Sequence, residues 1–416
     1  MFKKVFVLLV LSVLLTGLTA CDRIEQSPSQ IKPEPVVEAV VVEPIPESLV
    51  EPEPKPEPLL PGKIAIVTNA RNQDEEAYRS AQYIQNKFGE EYVIHRIWPD
   101  AFAHEGEKMI QILSEIADDP DVRVLVINQA VMNTNAAVEA FRERRDDVFI
   151  ICAHPHEQYN VITKNANLIL GSDVVAGGER MALQAKAMGA ETFVHYSYHF
   201  HYFGVVPFIT MRRDAIREAC ERLGIKFIEL YLPHNGPEIF LLHDVLTQTK
   251  EHGKNTAFFS TRHRYSLLKQ VLTNGAIYVQ PSDSSPFHTF PEALNLFADF
   301  PPRRERFNPF EMFSPAEIIE AIGKETIAAG MMGRLSTPSL YNGRLFTFAA
   351  VEYGIKWMHG EVPKEEIDME ILSQIMVDVL AEQTGVEGLG VDLTKHSFEG
   401  VIFSNFILVA QDYLIF

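Results

Sequence analysis

The densest chemistry in the chain is the run His195-Tyr-Ser-Tyr-His-Phe-His-Tyr202. Alternate residues of an extended strand share a face, so His195, Ser197 and His199 point together if the segment is a strand. Such a face could hold a solute by hydrogen bonds and ring contacts, could gather neutral imidazoles around zinc, or could simply pack between lobes. Histidine titrates near neutral pH, so acid–base chemistry is also feasible. Nothing in the run completes a tetrahedral ligand set, and no metal is expected. Other polar residues stand just after apolar runs: Asn69, Arg71, Asn72, Asn128, Gln129, His154, Ser260, Thr261, Arg262 and Gln280, with Trp98 closing one more. Amide side chains donate and accept together, which suits a neutral polar solute, and an indole can stack on a flat one. The same residue types also make ordinary turns. There is no G-x-S-x-G elbow and no H-E-x-x-H helix, and Gly177-Gly178 lacks the Gly-Lys-Ser/Thr of a phosphate loop. No catalytic residue and no cofactor are expected.

The elements that would position these residues alternate. Lys63–Asn69, Tyr92–Trp98, Val122–Asn128, Val148–Ala153 and Leu168–Gly171 read as buried parallel strands, because each is a short continuous apolar run. Between and after them, 74–87, 107–117, 134–145 and 178–188 read as helices. A second series follows: strands at 192–198, 226–231, 256–260 and 276–280, with helices at 212–223, 237–250 and 266–272. Gly224 stands where a helix C-cap is needed. Two βα series of similar size imply two doubly wound lobes, with ligands expected at the carboxyl ends of the strands. Residues 300–345 break the pattern and read as crossing loops, including Pro301-Pro302-Arg-Arg-Glu-Arg306, around one helix at 315–322. The tail 345–416 reads as mostly helical, with a late strand at 400–403.

The chain opens differently. Lys3 and Lys4 precede an apolar stretch, Val5–Leu18, that is short for a membrane span and ends in small residues, as secretory signals do. Leu18-Thr19-Ala20-Cys21 resembles a bacterial lipobox. That resemblance implies cleavage before Cys21 and acylation of it, and two or three acyl chains anchor a protein stably. Asp22 resembles an inner-membrane retention signal. Residues 22–62 hold ten of the 25 prolines and three basic against nine acidic residues. Proline removes backbone donors and like charges repel, so this stretch reads as an extended tether.

Composition bounds the rest. The 416 residues carry a formal charge of −19, and 46% are hydrophobic. The acid excess argues against a nucleic-acid binder, which needs a basic face, and against polybasic attachment to anionic lipid. Three cysteines exclude a disulfide scaffold. Cys152 and Cys220 fall in different expected lobes and read as buried thiols.

The segments KIAIVTNA (63–70), RVLVINQA (123–130), AIREACERLGIKF (215–227) and NTAFFSTRHRYSLLKQVLTNGAIYV (255–279) resemble the corresponding stretches of type I periplasmic binding proteins. Within that fold the arrangement is similar to a lipoprotein subgroup of unknown function. The resemblance implies an α/β fold of two Rossmann-like lobes with parallel sheets joined by a hinge. It implies a signal peptide at 1–20, a lipidated Cys21 and tether to 62, an N-terminal lobe at 63–190, a C-terminal lobe at 191–285, and a crossover and tail at 286–416. It also implies a solute-binding lipoprotein on the outer face of the cell membrane, partnered by a small polar solute and an ABC permease. A sensor for a membrane receptor and a His-dependent enzyme are the alternatives. Sugar-binding members usually carry Asn-Asp where this chain has Ser260-Thr261.

Overall fold

The computed structural model describes residues 59–157, 159–203, 207–233, 237–281, 284–296 and 313–416. Cys21, the tether through residue 58, the 301–306 segment, Ser282 and Asp283 lie outside the described residues. All the described residues belong to one compact unit, Glu57–Phe416.

From Lys63 the chain alternates: β1 (Lys63–Thr68), α1 (Glu75–Phe88), β2 (Val93–Ile97), α2 (Gly106–Ala117), β3 (Val122–Asn128), α3 (Thr134–Arg144), β4 (Phe149–Ala153), α4 (Tyr159–Asn165) and β5 (Leu168–Ser172). Helix α5 (Val174–Ala187) leads to β6 (Thr192–Tyr198). The alternation then resumes through α6 (His199–Tyr202), α7 (Pro207–Leu223), β7 (Lys226–Leu232), α8 (Pro237–His252), β8 (Thr256–Ser260), α9 (Arg264–Asn274), β9 (Ile277–Val279) and α10 (Pro286–Ala293). After α11 (Pro315–Ala328) come β10 (Leu335–Pro338), α12 (Asn342–Met358), α13 (Met369–Thr384), β11 (Val391–Phe398), β12 (Val401–Gln411) and β13 (Tyr413–Ile415).

Local chemistry explains the boundaries. Asp74 caps α1 by accepting from Ala77 N, with Glu75 and Glu76 in the first turn and Lys87 in the last, each at the end of the helix dipole that its charge favours. Ser314 and Glu317 form a reciprocal capping box on α11. Strands such as β4, FIICA, are buried along their whole length, as strands covered on both faces must be.

Among the described residues the strands form two sheets. One runs β11-β12-β5-β4-β3-β1-β2 and the other β13-β10-β9-β8-β6-β7. Both are parallel except where the C-terminal strands join, since β11 is antiparallel to β12 and β13 to β10. The chain passes between the sheets three times: through α5, from β10 into α12, and from β12 into β13 across Asp412. One apolar core runs through the molecule, taking in Val126 and Ile151 of the first sheet, Phe346 and Val351 of α12, and Phe258 and Tyr278 of the second. The outer face of each sheet has its own core, around Ile127 and Phe141 in one lobe and Phe193 and Ile216 in the other.

One sequence expectation is corrected. The tail is not mostly helix, because 391–415 is almost entirely strand. Strand β12 adds itself beside β5 in the first sheet, and β13 beside β10 in the second. The apolar run Phe406–Ala410 was the available signal. Gly178 is helical, as the reading of 178–188 expected. It lies within α5, where a Cβ would stand 2.6 Å from Arg212 O, so the glycine lets α5 and α7 approach closely.

Candidate functional site

The loops at the strand ends face each other between the lobes, and two adjoining cavities open there. One, of about 270 Å³, is lined by Gln73, Asp74, Glu75 and Glu76 from the β1–α1 turn and by Tyr341 from the β10–α12 crossing. Its opposite wall is Arg264, Ser284, Ser285 and Thr289, from the starts of α9 and α10. The other, of about 370 Å³, is lined by Thr261, Arg262, His263, Arg264 and Thr289. Arg264 and Thr289 belong to both.

On the first lobe the walls are organised around Asp74. Its Oδ2 accepts from Gln129 Nε2 at 2.9 Å and from the Tyr341 hydroxyl at 3.3 Å, while Oδ1 caps α1. Asn69 Nδ2 donates to Gln129 Oε1 at 3.5 Å. The structure therefore brings the expected Asn69 and Gln129 together with two residues that sequence reading missed, Asp74 and Tyr341. Burial pushes the Asp74 carboxyl upward, against the hydrogen bonds from Ala77, Tyr341 and Gln129. Glu76 is 1% exposed, and its carboxyl is pushed up to about 8 by burial, which the neighbouring Ser285 hydroxyl and Arg344 guanidinium only partly offset. Arg71 and Asn72 are exposed outside the cavities, and Arg71 pairs with Glu75 at 2.7 Å.

On the second lobe Thr261 and Arg262 lie where they were expected. Thr261 Oγ1 accepts from Tyr198 N at 2.8 Å, and the Arg262 guanidinium sits 4.5 Å from the Tyr198 ring centre. Ser260 does not line the cavity. It is buried, and its hydroxyl donates to Arg262 O, which shapes the turn.

Other expected residues serve packing. Trp98 is 1% exposed in the outer core of the first lobe, and its indole nitrogen donates to Gln129 O at 3.2 Å. Asn128 is fully buried and donates to Gly343 O and Thr347 Oγ1 at 2.6 and 2.7 Å, pinning α12. The His154 ring lies 4.8 Å from the Phe346 ring, tilted 31° to it. Gln280 is fully buried at the end of β9. The His195–Tyr202 run separates. His195 and Ser197 do share a face, but it turns away from the cavities toward α7. There Ser197 Oγ lies 3.1 Å from His195 Nδ1 and donates to Glu229 Oε1 at 2.9 Å. Burial, then the Arg212 and Arg213 charges, hold the His195 ring down to about 3. His199 begins α6, where its Nδ1 lies 2.6 Å from the Tyr231 hydroxyl. Period-two alternation ended at Tyr198, one residue too early for all three to converge. Among the described residues no group of three or more His, Cys, Asp or Glu could hold a metal.

Arg264, Ser284, Ser285 and Thr289 were also missed. Arg264 was legible as part of the same loop as Thr261 and Arg262. The others follow a strand end by several residues and gain meaning only from what faces them.

A family profile described as "Protein of unknown function (DUF3798)" matches residues 63–336. The chain belongs to the DUF3798 family. Two Treponema pallidum (strain Nichols) proteins, each described as "Uncharacterized protein", are 29% identical to this DUF3798 chain. The first match runs over 135 residues, 32% of the chain and 60% of that protein. The second runs over 175 residues, 39% of the chain and 79% of that protein. Among solved structures, a Clostridium difficile 630 protein described as a "Putative transcriptional regulator" superposes with a TM-score of 0.74 at 20% identity, covering 85% of this chain and 99% of its own. That likeness is one of fold. GanP, a glucose-galactose binding protein from Geobacillus stearothermophilus, aligns at a TM-score of 0.40 and 12% identity, over 74% of this chain and 95% of its own.

Proposed function

We propose that this DUF3798 protein is a solute-binding protein that captures a small polar molecule by closing its two lobes. The observation that carries the reading is a cavity of about 270 Å³ with one wall from each lobe and Tyr341 from a crossing between them. A solute touching both walls stabilises the closed arrangement only through contacts that the open one cannot make. Both walls are rich in groups that donate or accept hydrogen bonds, which suits recognition without covalent chemistry. The paired His195–Ser197 arrangement is 0% and 1% exposed beneath α7, where no external substrate reaches it.

The finer reading rests on the first 62 residues. The Leu18-Thr19-Ala20-Cys21 motif and the proline- and glutamate-rich stretch support a lipoprotein tethered at Cys21 on the outer face of the cell membrane, handing its solute to an ABC-type permease.

A metabolite library screened by thermal shift tests the binding role, since a ligand at 100 times its Kd adds about 2.7 kcal/mol of stability. Small-angle scattering of the same complex should show a smaller radius of gyration than the free protein. Turnover of the bound compound, or binding with no compaction, overturns the proposal. Radiolabelled palmitate incorporated by the wild type and lost in Cys21→Ser tests the anchor.

A further inference from the structure

The two walls differ in charge and in how their helices begin. On the first lobe, α1 is capped by its own Asp74, and Glu75 is engaged by Arg71 and Arg79 at 2.7 and 3.4 Å. An anion gains nothing on that side. On the second lobe, α9 begins at the cavity with no side chain capping it, because its N-cap residue His263 takes a left-handed backbone (φ 53°). The amide-rich, positive end of an eleven-residue helix therefore opens between two arginines, Arg262 and Arg264, that line the same space. A second, independent feature lies beside them. Ser284 lines the cavity with Arg264 and is 5% exposed, and its buried hydroxyl has no hydrogen-bond partner among the described residues. A buried hydroxyl without a partner costs stability unless something supplies one.

We propose that the solute carries an oxyanion, a carboxylate or a phosphate, seated on the second lobe against the α9 N-terminus, Arg262, Arg264 and the Ser284 hydroxyl. Its other end presents hydrogen-bond donors, hydroxyl or ammonium, to Asp74. This rests on reading the cleft as a binding site. The arrangement divides the work: the second lobe selects the anion, and the first reads the donors once the lobes meet. Guanidinium groups suit both oxyanions because their N–H groups fork to two oxygens.

The test uses the full chain with inorganic phosphate and with acetate as probes, each titrated at fixed ionic strength against sodium chloride. Melting temperature should rise saturably with at least one of them, and which one separates phosphate from carboxylate chemistry. Glycerol over the same range should produce no such rise. The apparent affinity should fall about tenfold or more in Arg264→Gln and in Ser284→Ala, as loss of a charge-assisted contact implies. Arg262→Gln, at an exposed position, gives a third variant expected to fold normally. No saturable rise with either anion, or a rise equal in all three variants, overturns the anion subsite. A neutral metabolite that compacts the lobes with the same affinity in Arg264→Gln would overturn the subsite while leaving solute capture intact. Anion binding that the variants abolish, in a protein that no metabolite compacts, would overturn lobe closure while leaving the subsite.

Discussion

Gln411 and Gln280 are the same side chain, 1% and 0% exposed, in two regions that treat it in opposite ways. Gln411 ends β12 at a crossing between the sheets. Its amide accepts from Leu340 N at 2.8 Å and donates to Leu340 O at 2.7 Å and to Asn342 Oδ1. Asn342 in turn donates to Ser172 Oγ at 2.6 Å, so residues from all three crossings join one network, with Ser339 Oγ donating to Asp412 O at 2.6 Å. Gln280 directly follows β9, and neither polar atom of its side-chain amide has a partner among the described residues. The hydroxyls of Tyr278, Thr337 and Ser284 nearby are in the same condition. Polar groups at the crossings are thus satisfied within the chain, whereas those at the second lobe's strand ends keep bonding capacity in reserve. The first arrangement fixes how the three crossings sit against one another. The second leaves buried polar groups unpaired at the strand ends.

The contrast is sharpest under substitution by methionine, which keeps the length of glutamine and removes its polarity. Gln411→Met leaves the Leu340 and Asn342 groups buried and unpaired, so stability should drop by about 3–5 kcal/mol, read from chemical denaturation. A loss below about 1 kcal/mol would show that the crossing network is ornamental. Glu76→Gln should act next most strongly and in a pH-dependent way. Below pH 4.5 the Glu76 carboxyl is protonated folded or unfolded. Between 4.5 and about 8 only the unfolded chain ionises, so wild-type stability falls as pH rises through that window. The variant should be more stable than wild type by about 2–3 kcal/mol at pH 8 and equal to it at pH 4. A difference independent of pH would remove Glu76 from the titrating groups of the cleft.

Gln280→Met should do the reverse of its counterpart at the crossing. Removing an unpaired buried amide should leave stability unchanged or raise it by about 1–2 kcal/mol. If it destabilises the protein as Gln411→Met does, the two regions are not different in kind. His195 lies between these cases, since Nδ1 has Ser197 while Nε2 has no partner among the described residues. Its ring is held down to about 3, so the unfolded chain takes up a proton that the folded one refuses as pH falls below 6.5. His195→Gln should therefore soften the loss of melting temperature between pH 6.5 and 4, by a few degrees at most. An unchanged acid slope would mean that water reaches the ring.

How much of the fold and the site was legible depends on where each signal resides. Strands β1, β3 and β8 announce themselves, since a strand buried on both faces must be apolar throughout, and the polar residues just past it must emerge at a strand end. That logic located Asn69, Gln129, Thr261 and Arg262. It failed at Trp98 and Asn128, because a strand-end residue also has the option of turning under a helix. Asn128 took it, bonding to α12 some 215 residues later in the chain. It failed again at β11 to β13, where the edge strand β11 alternates weakly between half-buried and exposed positions and carries little apolar signal of its own.

The order of residues along the chain, by itself, determined two α/β lobes and the side of each sheet on which a site could form. These follow from apolar periodicity and the right-handedness of βα crossovers, both local properties. Only the tertiary structure decided which polar groups meet. Asp74, Gln129 and Tyr341 come from three distant segments, and Ser284 and Arg264 matter because of the wall they oppose. Pairing between buried polar groups depends on distances of about 3 Å, and no sequence spacing encodes such a distance across two separate sheets.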